Sequence, residues 1–255
     1  MTTLDSLLEQ VEHRPYPMPA GPWLMTQVWH DLLFAHWPVP VAALRSVIPA
    51  ALELDTFEGQ AWLGIVPFGM DRVYPRRAFP VPWLSRFLEL NVRTYVRVGD
   101  RPGVYFFSLD AANPVAVEMA RRWYQLPYYH AHMTLRRGWL AGLTYHSYRT
   151  HRGAAPAEFK ARYRPSGAVA FARPGSLEAW LTERYCLYTV NKRGQVFRGE
   201  IHHAPWPLQP AIADIEINTM ALPHGLRLPD AGRRPALLQF AKHLVTVEWP
   251  IAPVR

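Results

Sequence analysis

Between Leu88 and Val98 the chain alternates strictly: Leu88, Leu90, Val92, Thr94, Val96 and Val98 interleave with Glu89, Asn91, Arg93, Tyr95 and Arg97. A period of two is that of a strand with two distinct faces. Gly99-Asp-Arg-Pro-Gly103 supplies turn chemistry, and Val104 to Asp110 returns as the antiparallel partner. Similar signals recur on both sides of this hairpin. Thr26 to Trp37 reads as a strand closed by Pro38 and Pro40, and Val41, Leu44, Val47 and Ile48 recur at helical spacing up to Pro49. Asp55 to Gly59 is a hairpin loop feeding the apolar strand Ala61 to Phe68. Asn113-Pro114 starts a helix, with Asn as its cap and Pro in its first turn, that runs to about Tyr124. Strands follow near Tyr129–Leu135 and Leu140–Thr150, joined at Arg137-Gly138. A Ser176-capped helix then covers Leu177 to about Arg184, and strands Tyr185–Val190 and Gln195–His203 flank the turn Asn191–Gly194. Strands dominate and helices are short, so the expected class is α+β, with a large, curved, mostly antiparallel sheet closing into a barrel or cone.

Composition sharpens this picture at a few points. A chain of 255 residues is near the size at which one core stops growing, and no stretch reads as a linker. One domain over residues 1–255 is expected, with about 1–22, rich in proline, as an extended N-terminal segment. Hydrophobic residues make up 49%, with 10 Trp, which excludes a disordered chain. Trp29, Trp37, Trp62, Trp123 and Trp206 are read as core rather than as a ligand-stacking cage. The most apolar stretch, Leu32 to Leu52, is broken by His36, Pro38, Pro40, Arg45 and Pro49, so no membrane helix is expected. Met1 to Glu12 lacks the basic-then-apolar pattern of a secretory signal, and Cys186, the single cysteine, sits in an apolar strand. Both fit a cytoplasmic protein. The formal charge of +8 raises nucleic acid as a partner, but the arginines are scattered and no helix-turn-helix, RNP-like or zinc-finger pattern occurs. The densest basic run, Arg149 to Arg164, is taken as a solvated loop. No specific nucleic-acid binding is expected.

Several long segments resemble the YqjF-like family of bacterial proteins in the acetoacetate decarboxylase-like superfamily. They are His36-Trp-Pro-Val-Pro40, Ala61-Trp-Leu-Gly-Ile-Val-Pro-Phe68, the stretch Phe87 to Val96, Gly103-Val-Tyr-Phe-Phe-Ser-Leu-Asp110, and Arg198 to Pro207. The resemblance implies a small-molecule pocket. It places Glu89 at the decarboxylases' active-site glutamate, Tyr128 and Tyr129 where their two lysines stand, and His30 near the arginine before their early helix. Schiff-base decarboxylation needs a lysine of depressed pKa in a pocket. Lys160, Lys192 and Lys242, the only lysines, lie in a basic loop, a hairpin turn and near the C-terminus. The fold is therefore expected without that reaction.

The candidate site follows. Glu89 and Tyr128 are the catalytic candidates, as general acid/base and as donor to a carbonyl or enolate oxygen. Arg93, Asn91, Tyr129, His130 and His30 are the ligand-binding candidates. His130 and His132 share a strand face and His202-His203 adds two imidazoles, but without further ligands at short spacing no metal site is expected, and no cofactor. Nucleophile-elbow, P-loop and dinucleotide fingerprints are missing. The expected partner is a small organic acid or carbonyl compound. A non-catalytic binding protein with a residual pocket remains the alternative, and a homo-oligomer is left open.

Overall fold

The computed structural model describes residues 4–81, 83–124, 126–138 and 142–254. Thirteen strands join in one sheet: β1 Met25–Val39, β2 Glu53–Leu54, β3 Ala61–Pro75, β4 Phe87–Val98, β5 Arg101–Ala111, β6 Tyr128–Gly138, β7 Gly142–Arg149, β8 Glu158–Pro165, β9 Cys186–Val190, β10 Val196–His203, β11 Leu208–Asn218, β12 Leu237–Glu248 and β13 Ala252–Pro253. Short helices α1 (Leu4–Glu9), α2 (Val41–Arg45), α3 (Pro114–Tyr124) and α4 (Leu177–Thr182) accompany them. Neighbouring strands pair antiparallel except β5 with β6 and β5 with β9. No helix among the described residues is long and apolar enough to cross a membrane.

The order β13-β10-β9-β5-β6-β7-β8-β11-β12-β1-β3-β4-β2 carries two extra pairings, β4 with β5 and β10 with β12. Each closes a ring of strands. One ring runs β5-β6-β7-β8-β11-β12-β1-β3-β4, and the other runs β5-β9-β10-β12-β1-β3-β4. The wall they share is buried on both faces. Leu33, Ala35, Trp37, Leu63, Ile65, Leu90 and Val92 pack into the main core, while Leu32, Phe34, Val66 and Phe68 form a second cluster on the opposite face. Two-sided burial is why β1 and β3 read as nearly continuous apolar runs instead of alternating.

Two breaks in the wall decide which residues face which ring. β1 and β3 shift register between His30 and Ala35, where Asp31 has φ 55°, and again between Thr26 and Val28, opposite Arg72 with φ 49°. A bulge inserts one residue and so moves the following side chains to the other face. Trp29 and Leu32, three residues apart, consequently look into the same space, and His30 is turned away from it. His30 packs over Gly69, where a Cβ would lie 2.2 Å from its ring.

The hairpin register Val98↔Arg101 leaves Gly99 and Asp100 as the turn, tighter than the Gly99–Gly103 segment suggested, with Gly99 at φ 62°. Asn113 caps α3 as expected, accepting from the amides of Val115 and Ala116 at 3.0 and 3.1 Å. The basic run Arg149 to Arg164 is corrected: it contains β8, in which Phe159, Ala161 and Tyr163 are buried while Arg162 is exposed. The arginines of β8 face outward from a strand, while the side chain of Arg149, at the start of the run, is buried against Asp110. The strand start expected at Leu140 lies outside the described residues, and β6 continues through Gly138, paired with Gly142.

Candidate functional site

The β4–β5–β9–β10–β12–β1–β3 ring encloses a cavity of about 560 Å³. Successive cavity-facing residues of β4 give it Phe87, Glu89, Asn91 and Arg93. Register carries the same face across three strands: Asn91 pairs with Leu109 of β5, and Leu109 pairs with Tyr128, the first residue of β6. All three line the cavity. Tyr128 reaches this row because α3 ends just before it and Arg121 of that helix donates to the Tyr128 carbonyl at 2.5 Å.

The wall is polar at a few points in an apolar lining. Glu89, Asn91 and Arg93 are 3%, 6% and 9% exposed. Burial pushes the Glu89 carboxyl up to about 8; a hydrogen bond from Tyr128 opposes this, while Glu248 and Asp110 add to it. Glu248, at the end of β12 in the same cavity, is raised to about 7 by burial. Near neutral pH Glu89 thus keeps its proton while Glu248 is divided between its acid and base forms, a tuning suited to general acid/base chemistry.

Arg93 is a buried cation with neutral partners. Its Nη2 donates to the Tyr95 hydroxyl at 3.3 Å and to the Leu181 carbonyl at 3.0 Å. It makes no ion pair among the described residues, in contrast to Arg184, which holds Asp55 at 2.7 Å. Several lining atoms have no hydrogen-bond partner among the described residues: Glu89 Oε2, Asn91 Oδ1, Arg93 Nε and Trp206 Nε1. Buried polar atoms are rarely left so unless a ligand or water meets them.

The remaining candidates lie elsewhere. Tyr129 points away from the cavity into a separate depression, with the Arg149 guanidinium 4.1 Å from its ring. His130 pairs with Glu118 of α3 at 2.8 Å and stacks on His151. His30 lies against Asp31, at 3.2 Å. Asp31 is fully buried, and although burial alone would raise its carboxyl, hydrogen bonds from His30, Lys242 and Arg137 hold it well below the usual carboxylate range. His202 bonds to the Leu7 carbonyl and His203 to that of Ala204, and burial lowers both rings to about 4. Among the described residues no group of three potential metal ligands converges. Among the described residues no lysine lines the cavity: Lys160 of β8 pairs with Glu216 and Lys242 of β12 with Asp31.

The sequence pattern did not bring out Glu248, and it read Trp29 and Trp206 as core alone. Glu248 carried a signal, a lone acid closing the apolar run Leu244 to Trp249. Trp29 and Trp206 stack at 5.9 Å and belong to the second hydrophobic cluster, as expected of core residues, but they also line the cavity; Trp37 lies in the main core. The Trp123 side chain lies outside the described residues. Cys186 also lines the cavity, its thiol raised by burial to about 11, which leaves it un-ionised.

Comparison with known proteins follows this geometry. The DUF2071 family, described as an uncharacterized conserved protein, matches residues 26–244. The uncharacterized protein YqjF of Bacillus subtilis (strain 168) is 42% identical over 245 residues, covering 96% of this chain and 98% of that protein. Among solved structures, acetoacetate decarboxylase from Legionella pneumophila superposes with a TM-score of 0.59 at 13% identity, covering 98% and 95% of the two chains. The enduracididine biosynthesis enzyme MppR complexed with pyruvate gives 0.57 at 11% identity, covering 94% and 93%. These likenesses show a shared fold. A family match over most of the chain, together with a relative 42% identical along nearly its whole length, makes this chain a member of the DUF2071 family, built on the acetoacetate decarboxylase-like fold.

Proposed function

We propose that the cavity binds an organic acid that also carries a carbonyl group, and that Glu89 and Tyr128 exchange protons with it. The observation that carries this reading is one wall. Within it, protonated Glu89, hydrogen-bonded to Tyr128, shares a strand face with the unpaired guanidinium of Arg93. A buried cation without a carboxylate partner is costly, and a ligand carboxylate supplies the missing charge. Glu89, holding its proton near neutrality, donates to a carbonyl oxygen, and the Tyr128 hydroxyl stabilises the enol or enolate oxygen that results. Glu248 is the second carboxyl available to take the proton from the adjacent carbon. Among proteins of similar fold, one is an acetoacetate decarboxylase and one is complexed with pyruvate. Both molecules are oxo acids.

Exchange of the protons beside the carbonyl, followed by NMR in deuterated water over a panel of straight-chain oxo acids, tests this. The protein is expected to accelerate exchange for at least one member, and Glu89→Gln to reduce that rate by roughly 10²–10⁴-fold. Binding without exchange in any member would leave only a binding protein.

The lysine positions make a separate expectation. With no lysine in the cavity, incubation with acetoacetate followed by borohydride should leave the protein mass unchanged. A stoichiometric adduct at any lysine would overturn the separation from Schiff-base chemistry.

A further inference from the structure

The cavity is long and has distinct ends. Phe87 and Arg93 both line it from β4, so it extends along six residues, about 20 Å at the rise of a strand. The lining around Arg93 is buried: Phe34, Val66, Thr182 and Arg184. At the Phe87 end the lining reaches the surface through Pro75 and Met119. Beside that opening stand exposed Trp83 and Val115, next to the lining residues Leu84 and Ala116, and Asn113 ties this rim together by donating to the Trp83 carbonyl at 3.2 Å. Large exposed apolar side chains grouped at one opening mark a surface that meets an apolar ligand.

Arg93 also points away from Glu89, since its Nη2 is spent on Tyr95 and Leu181 beyond it on the closed side. The two stand four positions apart on one strand, about 13 Å between their Cα atoms. A single three-carbon oxo acid cannot touch both groups, and it would leave most of the 560 Å³ unfilled, a space of the size that drug-like molecules occupy.

We infer that the ligand class is an elongated, amphipathic oxo acid: its carboxylate sits at Arg93, its carbonyl lies well down the chain opposite Glu89 and Tyr128, and its apolar end lies toward Phe87 and the rim. This rests on the proposed carboxylate site at Arg93 and adds the length, polarity and direction of what fills it.

Titration of the intrinsic tryptophan fluorescence with straight-chain monocarboxylates from acetate to dodecanoate, with pyruvate and 1-decanol alongside, tests it, Trp29 and Trp206 being in the wall. Affinity is expected to rise about fourfold per methylene up to about decanoate, as burial of each group predicts. Decanoate should bind at least tenfold more tightly than 1-decanol, and Arg93→Met should erase that preference. If acetate and pyruvate bind as tightly as decanoate and are lost in Arg93→Met, the elongated class is overturned and the carboxylate site stands. If no acid binds, or decanoate binds no better than 1-decanol to the unaltered protein, the carboxylate site itself is overturned.

Discussion

Replacing Glu89 with glutamine is expected to stabilise the protein at pH 9 by on the order of a few kcal/mol, while changing it little at pH 5. The sign follows from the direction of the shift. Burial raises Glu89 from 4.5 to about 8, so between those values the folded protein holds a proton that the unfolded chain has released. Stability from this group is complete below about pH 4.5 and is lost as pH rises through 8, at about 1.4 kcal/mol per pH unit. Glutamine keeps the size and an acceptor for Tyr128 but carries no charge to bury. For a chain of this length the gain corresponds to roughly 5–10 °C in melting temperature. Glu248→Gln should show the same trend over a narrower window, from 4.5 to about 7. Melting curves recorded from pH 5 to 9 decide the matter: parallel curves for wild type and Glu89→Gln would mean that Glu89 ionises normally. A variant both more stable in base and defective in proton exchange is what a strained functional carboxyl produces.

The largest loss of stability is expected from Arg149→Met. Arg149 holds Asp110 through two bonds of 2.6 and 2.8 Å, and the two side chains are 2% and 1% exposed. Removing one partner of a buried pair leaves an uncompensated charge, which costs about 3–5 kcal/mol. Burial already raises the Asp110 carboxyl, with Arg149 opposing. Without the guanidinium the group rises further, so the deficit should widen as pH increases from 4 to 8. The double variant Asp110→Asn, Arg149→Met should recover part of the loss, because no charge is then stranded. Chemical denaturation at several pH values measures both, and a loss below 1 kcal/mol for Arg149→Met would contradict the buried-pair account. Such a small effect belongs instead to surface pairs such as Lys160 with Glu216.

The strands that alternate or end at proline and glycine were legible in the sequence. β4 is the clearest, because its apolar face and its Glu89-Asn91-Arg93 face meet different surroundings, although both are buried. β8 was hidden by its arginines: the buried alternation of Phe159, Ala161 and Tyr163 is outweighed in any composition count by its charges. The wall of the candidate cavity was legible where one strand carries it and where the resemblance supplied a neighbour, as for Tyr128. It failed at His30, because the bulge at Asp31 reverses the facing of β1 through a backbone angle that no local pattern announces. Tyr129 entered with Tyr128 through the resemblance, at the position of the second lysine, and His130 through the strand face that it shares with Tyr128. Strand geometry turns Tyr129 to the opposite side, and His130 engages Glu118 of α3 instead of the cavity. Glu248 arrives from the far end of the chain through the pairing of β12 with β1 and β10, which sequence spacing does not reveal.

A crystal structure of the protein with a medium-chain oxo acid, its carbonyl placed mid-chain, tests the central claim most directly. The carboxylate is expected within hydrogen-bonding distance of Arg93 Nε, the carbonyl oxygen opposite Glu89 and Tyr128, and the alkyl end between Phe87 and Met119. A ligand seated outside the ring of strands, for instance in the depression beside Tyr129 and Arg121, with the cavity unchanged, would contradict the account.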